Sequence, residues 1–140
     1  MIMKKMRRKL YLDIDGVLIT TKHPQPAYHV VEFIRYIVNN FECYWLTTHC
    51  KGDASNVIRY LSSYFEPTIM QDLRTIKPTC WDSLKTEAID FGSNFYWLDD
   101  NPLQVEKCVI LQHGKLERLI EVDLSHEEEL KRVLERLTTL

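Results

Sequence analysis

The sequence lacks the features of a secreted, membrane-spanning or zinc-binding protein. No apolar run of signal-peptide length follows its basic opening, MIMKKMRRK, because Asp13 and Asp15 interrupt the first hydrophobic stretch. No segment approaches the roughly 20 apolar residues that a transmembrane helix needs. The four cysteines form no CxxC pair, which argues against a zinc knuckle or a small disulfide framework. We therefore expect reduced thiols, a cytoplasmic location and no membrane partner.

Strong net charge, internal repeats and linkers are also missing. A formal net charge of -2 gives the whole molecule no preference for nucleic acid or membrane. The basic opening has two interpretations, a contact with nucleic-acid phosphates and a solubilising, partly flexible tail over residues 1–8. The second is favoured, since about five basic residues make only a modest patch. With 140 residues the chain is expected to form a single domain over residues 1–140.

Short apolar runs that suit buried strands alternate with segments of helical periodicity. The expected strands cover residues 9–15, 43–47, 68–70, 95–98 and 119–122. Helices are expected from Pro26, after Gly52, from Pro78 to Gly92, from about 102 to 113, and from Ser125, which forms a capping box with Glu128. This alternation predicts an α/β fold with a central parallel sheet that helices cover on both faces.

Polar residues stand where the expected strands end. Asp13 and Asp15 end the first strand, and the second strand ends in Thr47 and Thr48. The remaining members are Lys77, before the third expected helix, and the pair Asp99 and Asp100, after the fourth strand. Because parallel sheets bind ligands at the carboxyl ends of their strands, these residues are expected to converge on one crevice.

These segments, DIDGVL, YWLTT, the lysine of TIKPT and YWLDDNP, resemble in order the four motifs of the haloacid dehalogenase (HAD) superfamily. The resemblance spans Lys9 to about Pro102. It implies a Rossmann-like three-layer sandwich. Both intervals in which family members carry a cap domain are short, so the chain resembles capless members, such as polynucleotide phosphatases, magnesium-dependent protein phosphatases and some oligomeric sugar phosphatases.

The resemblance also implies a reaction, the magnesium-dependent hydrolysis of a phosphomonoester. Asp13 would attack phosphorus to form an aspartyl phosphate, and Asp15 would protonate the leaving group and then activate water. Mg²⁺ would be held by Asp13, by the backbone carbonyl of Asp15, and by one or both of Asp99 and Asp100. The phosphoryl oxygens would be bound by Thr47, Thr48 and Lys77.

The substrate itself is not indicated by these motifs. An open, capless site suits a phosphorylated macromolecule, nucleic acid included, or a small molecule that is covered by a second subunit of an oligomer. Loops near the crevice would then set specificity, and His23 and His49 are the candidates there.

Two alternatives come from another functional class. A signalling receiver domain also combines acids, a threonine, a lysine and magnesium on a doubly wound sheet, but it carries its acidic pair first and a lone aspartate later. A catalytically inactive phosphate-binding module should have lost a charged motif, and this sequence keeps all of them.

Overall fold

The strands of the protein form one parallel sheet in a computed structural model that describes residues 7–139. Within those residues the sheet has four strands, in the order β2-β1-β3-β4, and every neighbouring pair is parallel. The strands are β1 (Lys9–Leu12), β2 (Glu42–Trp45), β3 (Phe95–Asp99) and β4 (Leu119–Glu121). Since β1 and β3 lie in the middle of the sheet, the residues that follow them meet at its centre.

Helices connect the strands, as expected for an α/β fold. They are α1 (Val30–Asn40), α2 (Ser55–Leu61), α3 (Pro67–Leu73), α4 (Gln104–Gln112) and α5 (Glu129–Thr139), with two 3-10 turns at Lys85–Ala88 and Leu116–Arg118. Over residues 7–139, none of these helices combines the length and apolarity needed to cross a bilayer.

The core lies on both faces of the sheet because successive strand residues point to opposite sides. Leu10 and Leu12 of β1 face a large buried cluster that includes residues of α1, α2, α3 and α5, whereas Tyr11 faces a smaller one with Trp97 and Ile110 of α4. Trp45 and Trp97 are fully buried. The predicted parallel sheet with helices on both faces is thereby confirmed.

One expected strand, over residues 68–70, is instead part of helix α3. Pro67 occupies the first turn of this helix, where its fixed φ is favourable and its missing N–H is not needed. Ile69, Met70 and Leu73 are the buried residues of α3, and their spacing is helical. The run over residues 68–70 is too short to separate a strand from a buried helical turn.

The helix expected from Pro78 to Gly92 is also absent. This segment is a loop whose helical part is the 3-10 turn Lys85–Ala88. The Glu87 carboxylate accepts hydrogen bonds from the backbone N–H groups of Asp82, Ser83 and Leu84 at 3.0, 3.2 and 2.9 Å. These contacts satisfy the backbone outside a helix, which corrects the prediction.

Smaller differences concern the ends of elements. Helix α5 begins at Glu129 and not at Ser125, whose hydroxyl donates to Asp123. Of the predicted basic tail, residues 1–6 lie outside the described residues. Arg7 donates to the Val38 carbonyl at 3.5 Å, and the Arg8 guanidinium lies 4.7 Å from the centre of the Phe41 ring.

Candidate active site

Two buried carboxylates stand side by side at the carboxyl end of the sheet. Asp13 follows β1 directly, and Asp99 is the last residue of β3. Leu12 pairs with Leu98 across the two strands, and the Asp13 N–H donates to the Leu98 carbonyl at 3.1 Å. Asp13 is 9% exposed and Asp99 1% exposed. The parallel register therefore brings together two acids that are far apart in sequence.

Lys85 lies between these two carboxylates. Its ammonium is 2.9 Å from Asp13 Oδ2 and 2.7 Å from Asp99 Oδ2, and its side chain is only 12% exposed. The lysine backbone is fixed by Glu106, a buried residue of α4, whose Oε2 accepts from the Lys85 N–H at 2.7 Å and whose Oε1 accepts from the Leu103 N–H at 2.9 Å. A residue of α4 thus fixes the backbone of Lys85, whose ammonium lies between the two acids.

Asp100 completes a cluster of three acids. One carboxylate oxygen from each of Asp13, Asp99 and Asp100 lies within 4.8 Å of the others. The approach of Asp100 depends on Gly16, since a Cβ at position 16 would stand 2.1 Å from Asp100 Oδ2. Gly16 also has a φ of +84°, which other residues adopt only with strain. The glycine of DIDGVL therefore allows both the turn and the cluster.

The electrostatics of the cluster show an excess of negative charge. Burial first, and the Asp13 carboxylate second, raise the pKa of Asp99 to about 6, against the opposing effect of Lys85. The same two causes raise the pKa of Asp100. Burial alone would lower the pKa of Lys85, but Asp13 and Asp99 outweigh it, so its pKa lies above the ordinary value. One lysine does not balance three acids, and carboxylate oxygens are ligands that hard divalent cations prefer.

Asp15 lies at the same sheet edge but has different partners. The chain turns after Asp13, with the Gly16 N–H donating to the Ile19 carbonyl at 2.7 Å, so Asp15 does not continue the strand. Its Oδ2 is 2.9 Å from His49 Nε2, and its Oδ1 accepts from the Tyr60 hydroxyl at 2.8 Å. Its carboxylate is not part of the cluster that Asp13 belongs to. The two acids of the DxD segment therefore have separate environments.

The threonines after β2 differ from one another. Thr47 is fully buried, and its hydroxyl accepts a hydrogen bond from the His49 N–H at 3.4 Å, whereas Thr48 is exposed. The Leu46 N–H donates to the Leu12 carbonyl at 2.7 Å, so Thr47 follows β2 at the edge where Asp13 follows β1. Both threonines thus belong to the loop beside the acids, with Thr47 held inside it.

Lys77 lies outside this site. Its ammonium is 2.9 Å from Glu42 Oε1, at the start of β2, and its side chain is 58% exposed. The Trp45 N–H donates to the Lys77 carbonyl at 2.8 Å, which extends the sheet edge along β2. The structure therefore does not bring Lys77, the predicted phosphate-binding lysine, to the site. The lysine beside the acids is Lys85, because the expected helix is a loop that carries Lys85 back to the strand ends.

His23 lies in the exposed loop after the first motif. Its carbonyl accepts from the Thr20 hydroxyl at 2.5 Å. A groove of about 540 Å³ runs from Gly16 and Asp100 along this loop, and Thr20, Thr21 and Lys22 line it together with residues 121–125. The His23 ring is not part of its lining, whereas His49 contacts Asp15 directly.

Sequence reasoning missed three residues of the site. Lys85 could have been found from the turn-forming residues between Pro78 and Ser83, which disfavour a helix through that segment. Tyr60 and Glu106 carry no comparable signal, since each is one polar residue on a helix and its partner is distant in sequence.

Comparison with known proteins assigns no family to the chain, since no family model matches it and no curated protein matches its sequence.

Proposed function

We propose that the protein is a magnesium-dependent phosphomonoester hydrolase of the HAD type, without a cap domain. One observation carries this proposal: Lys85 and three acids meet at the carboxyl end of a parallel sheet, and Asp15 stands beside them with separate partners. A nucleophile, a cation site and an acid/base residue are the groups that such a hydrolysis needs.

The three acids suit a divalent cation. Asp13, Asp99 and Asp100 would hold Mg²⁺, which prefers oxygen ligands. Burial first, and the Asp13 charge second, raise the pKa values of Asp99 and Asp100, and such a cation would stabilise the ionised carboxylates. The backbone carbonyl of Asp15 stays a proposed further ligand. Bound there, the ion would offset charge on the transferring phosphoryl group.

Asp13 is the proposed nucleophile. Its Oδ1 accepts from the Ile14 N–H at 2.7 Å and its Oδ2 from Lys85, so the carboxylate is fixed in orientation. A carboxylate oxygen of Asp13 attacks phosphorus as the bond to the leaving oxygen breaks, and Asp15 gives that oxygen a proton. Asp15 then takes a proton from water, whose oxygen attacks the aspartyl phosphate and releases phosphate and Asp13.

Lys85 replaces Lys77 in the proposed phosphate site. Its ammonium is paired with both Asp13 and Asp99 and stands where it can also contact phosphoryl oxygens. The Thr47 hydroxyl, and Thr48 beside it, remain the proposed hydrogen-bond donors from the loop after β2. Preorganised charge and position would do most of the catalysis.

Short connections support an open site. The segment between β2 and β3 contains only α2, α3 and a 3-10 turn within the described residues, and the groove beside Gly16 opens to solvent. We infer that the leaving group lies in this groove and belongs to a large phosphorylated substrate, or that a second subunit covers it. Free thiols at all four cysteines agree with the cytoplasmic location that we propose.

A simple assay tests the proposal. The purified protein should hydrolyse 4-nitrophenyl phosphate with Mg²⁺, and both excess chelator and Asp13→Asn should abolish turnover. Full activity in either case would contradict the mechanism. A protein that binds orthophosphate or retains a phosphoryl group without turnover would instead support the phosphate-binding signalling module. Phosphorylated nucleic-acid ends, phosphopeptides and sugar phosphates would then separate the substrate classes.

A further inference from the structure

The proposed acid/base, Asp15, is held by two side chains that come from separate elements. His49 belongs to the loop after β2, and Tyr60 belongs to α2. His49 Nε2 is 2.9 Å from one carboxylate oxygen, and the Tyr60 hydroxyl donates to the other at 2.8 Å. Because the Asp15 side chain is 43% exposed, little else would fix its rotamer.

Further contacts fix the side chains of His49 and Tyr60. The His49 and Tyr60 rings are stacked, with centroids 4.4 Å apart and planes 12° apart, and Tyr64 contacts Tyr60 edge-on at 5.4 Å. The His49 N–H donates to Thr47. Burial first, and the hydrogen bond to Asp15 second, raise the pKa of Tyr60, so its phenol keeps the proton that it donates. Stacking of this kind fixes both rings in one orientation.

We propose that His49 and Tyr60 are positioning residues that hold the Asp15 carboxyl group for proton transfer to the leaving oxygen. This inference rests on the proposed phosphatase function. Each carboxylate oxygen has two acceptor sites, so one contact at each oxygen leaves a site for the proton that Asp15 gives or takes. Misplacement of such a group by about 1 Å is enough to slow proton transfer strongly.

Leaving-group dependence distinguishes this role from a structural one. A 4-nitrophenolate leaves readily without a proton, whereas an alkoxide needs one, so in the step that phosphorylates Asp13 only the alkyl substrate depends on the placement of Asp15. The value of kcat/KM reports the step in which Asp13 is phosphorylated. The ratio of kcat/KM for an alkyl phosphate to kcat/KM for 4-nitrophenyl phosphate therefore measures the proton transfer.

His49→Phe and Tyr60→Phe keep both rings and remove the contacts with Asp15. We expect each to lower this ratio about tenfold, with kcat/KM for 4-nitrophenyl phosphate reduced less than threefold. Tyr36→Phe removes a hydroxyl from a partly buried ring of α1 and should leave the ratio unchanged. An equal fall for both substrates would mean that the two residues are merely structural, and would overturn the inference.

A measurement without turnover separates this inference from the proposed function. In a double-mutant cycle, Tyr60→Phe and Asp15→Ala should couple by about threefold in the unfolding equilibrium constant, a modest value for a partly exposed hydrogen bond to a charged group. No coupling would overturn the inference in an active enzyme. If the cycle shows coupling but the wild-type protein hydrolyses neither substrate, the contact between Tyr60 and Asp15 is established. The phosphatase proposal, and with it the role in proton transfer, would then be overturned.

Discussion

The ammonium groups of Lys85 and Lys77 lie towards opposite ends of one sheet, and they differ in burial and in the acids around them. At the carboxyl end, Lys85 is 12% exposed and lies between two buried acids. Lys77 has a side chain that is 58% exposed, and the side chain of its carboxylate partner, Glu42, is 33% exposed. A buried cation between acids is costly to remove, whereas exposed ion pairs contribute about 1 kcal/mol or less.

At the amino end of the sheet, two lysines are each paired with a carboxylate. A groove of about 1060 Å³ there is lined by Arg7, Arg8, Lys9 and Lys77 among others, which suggests an anion site at first sight. Lys9 is paired with Asp90 at 3.2 Å and Lys77 with Glu42 at 2.9 Å. Each of these two lysines thus has a carboxylate partner, whereas at the carboxyl end three clustered acids lie around Lys85.

Exchanging each lysine for methionine should give the largest difference between the two ends. Lys85→Met is expected to lower kcat/KM for 4-nitrophenyl phosphate by about 10³-fold, because a preorganised charge at the transferring group is lost. Lys77→Met should change it less than twofold. Steady-state kinetics on variants whose folding is verified by circular dichroism measure both. Similar losses in the two variants would contradict the assignment of Lys85.

Gly16 and Gly114 offer a matched pair of glycines with positive φ. Alanine at Gly114, where a Cβ meets nothing within 4 Å, should cost about 1 kcal/mol of unfolding free energy from backbone strain alone. Gly16→Ala adds a collision with Asp100, so we expect a greater loss of stability and about a hundredfold loss of activity. Denaturant unfolding and kinetics test this. Equal behaviour of the two variants would mean that the approach of Asp100 to Gly16 is unimportant.

Magnesium should stabilise the folded protein by binding at the carboxyl end of the sheet and not at the amino end. At a concentration 100 times its Kd, a ligand of the folded state adds about 2.7 kcal/mol, which should raise the melting temperature by several degrees. Asp99→Asn removes a proposed ligand and should abolish most of this shift, whereas Asp90→Asn, at the amino end, should preserve it. Differential scanning calorimetry with and without Mg²⁺ provides the measurement. A shift that survives in Asp99→Asn would place the cation elsewhere.

The smallest expected effect is the pH dependence of the stability that Glu42 contributes at the amino end of the sheet. Hydrogen bonds from Tyr44 first, and from Lys77 second, lower the pKa of Glu42 below its ordinary value of 4.5. A carboxyl group whose pKa is lowered on folding stabilises the protein above its unfolded pKa, and this contribution is lost as the pH falls through the folded-state pKa.

Glu42→Gln should therefore reduce stability at neutral pH by about 0.5 kcal/mol, after allowance for solvent screening, and by less below pH 4. Urea unfolding across this pH range measures the difference. A constant difference at every pH would show that charge at Glu42 plays no part.

Most of the fold and the acids of the site could be predicted because they depend on local pattern. Apolar runs that end abruptly in Asp13 or Asp99 indicate strand ends, and parallel strands bring such ends together. The lysine could not be predicted in the same way. Its position depends on Glu87 and Glu106, which organise a loop through contacts with its backbone N–H groups, and apolar periodicity does not report such contacts. The partners of Asp15 were hidden for the same reason.

The hydrogen bonds of Glu106 limit which residues can replace it. Its two oxygens accept from the N–H groups of Lys85 and Leu103, in two different segments, and it is 3% exposed. Glutamine, although equal in size, would turn an amide donor towards one of these N–H groups, and aspartate is one methylene shorter. Glu106 therefore cannot be replaced by glutamine or aspartate without disturbing one of these hydrogen bonds, although its side chain lies outside the acidic cluster.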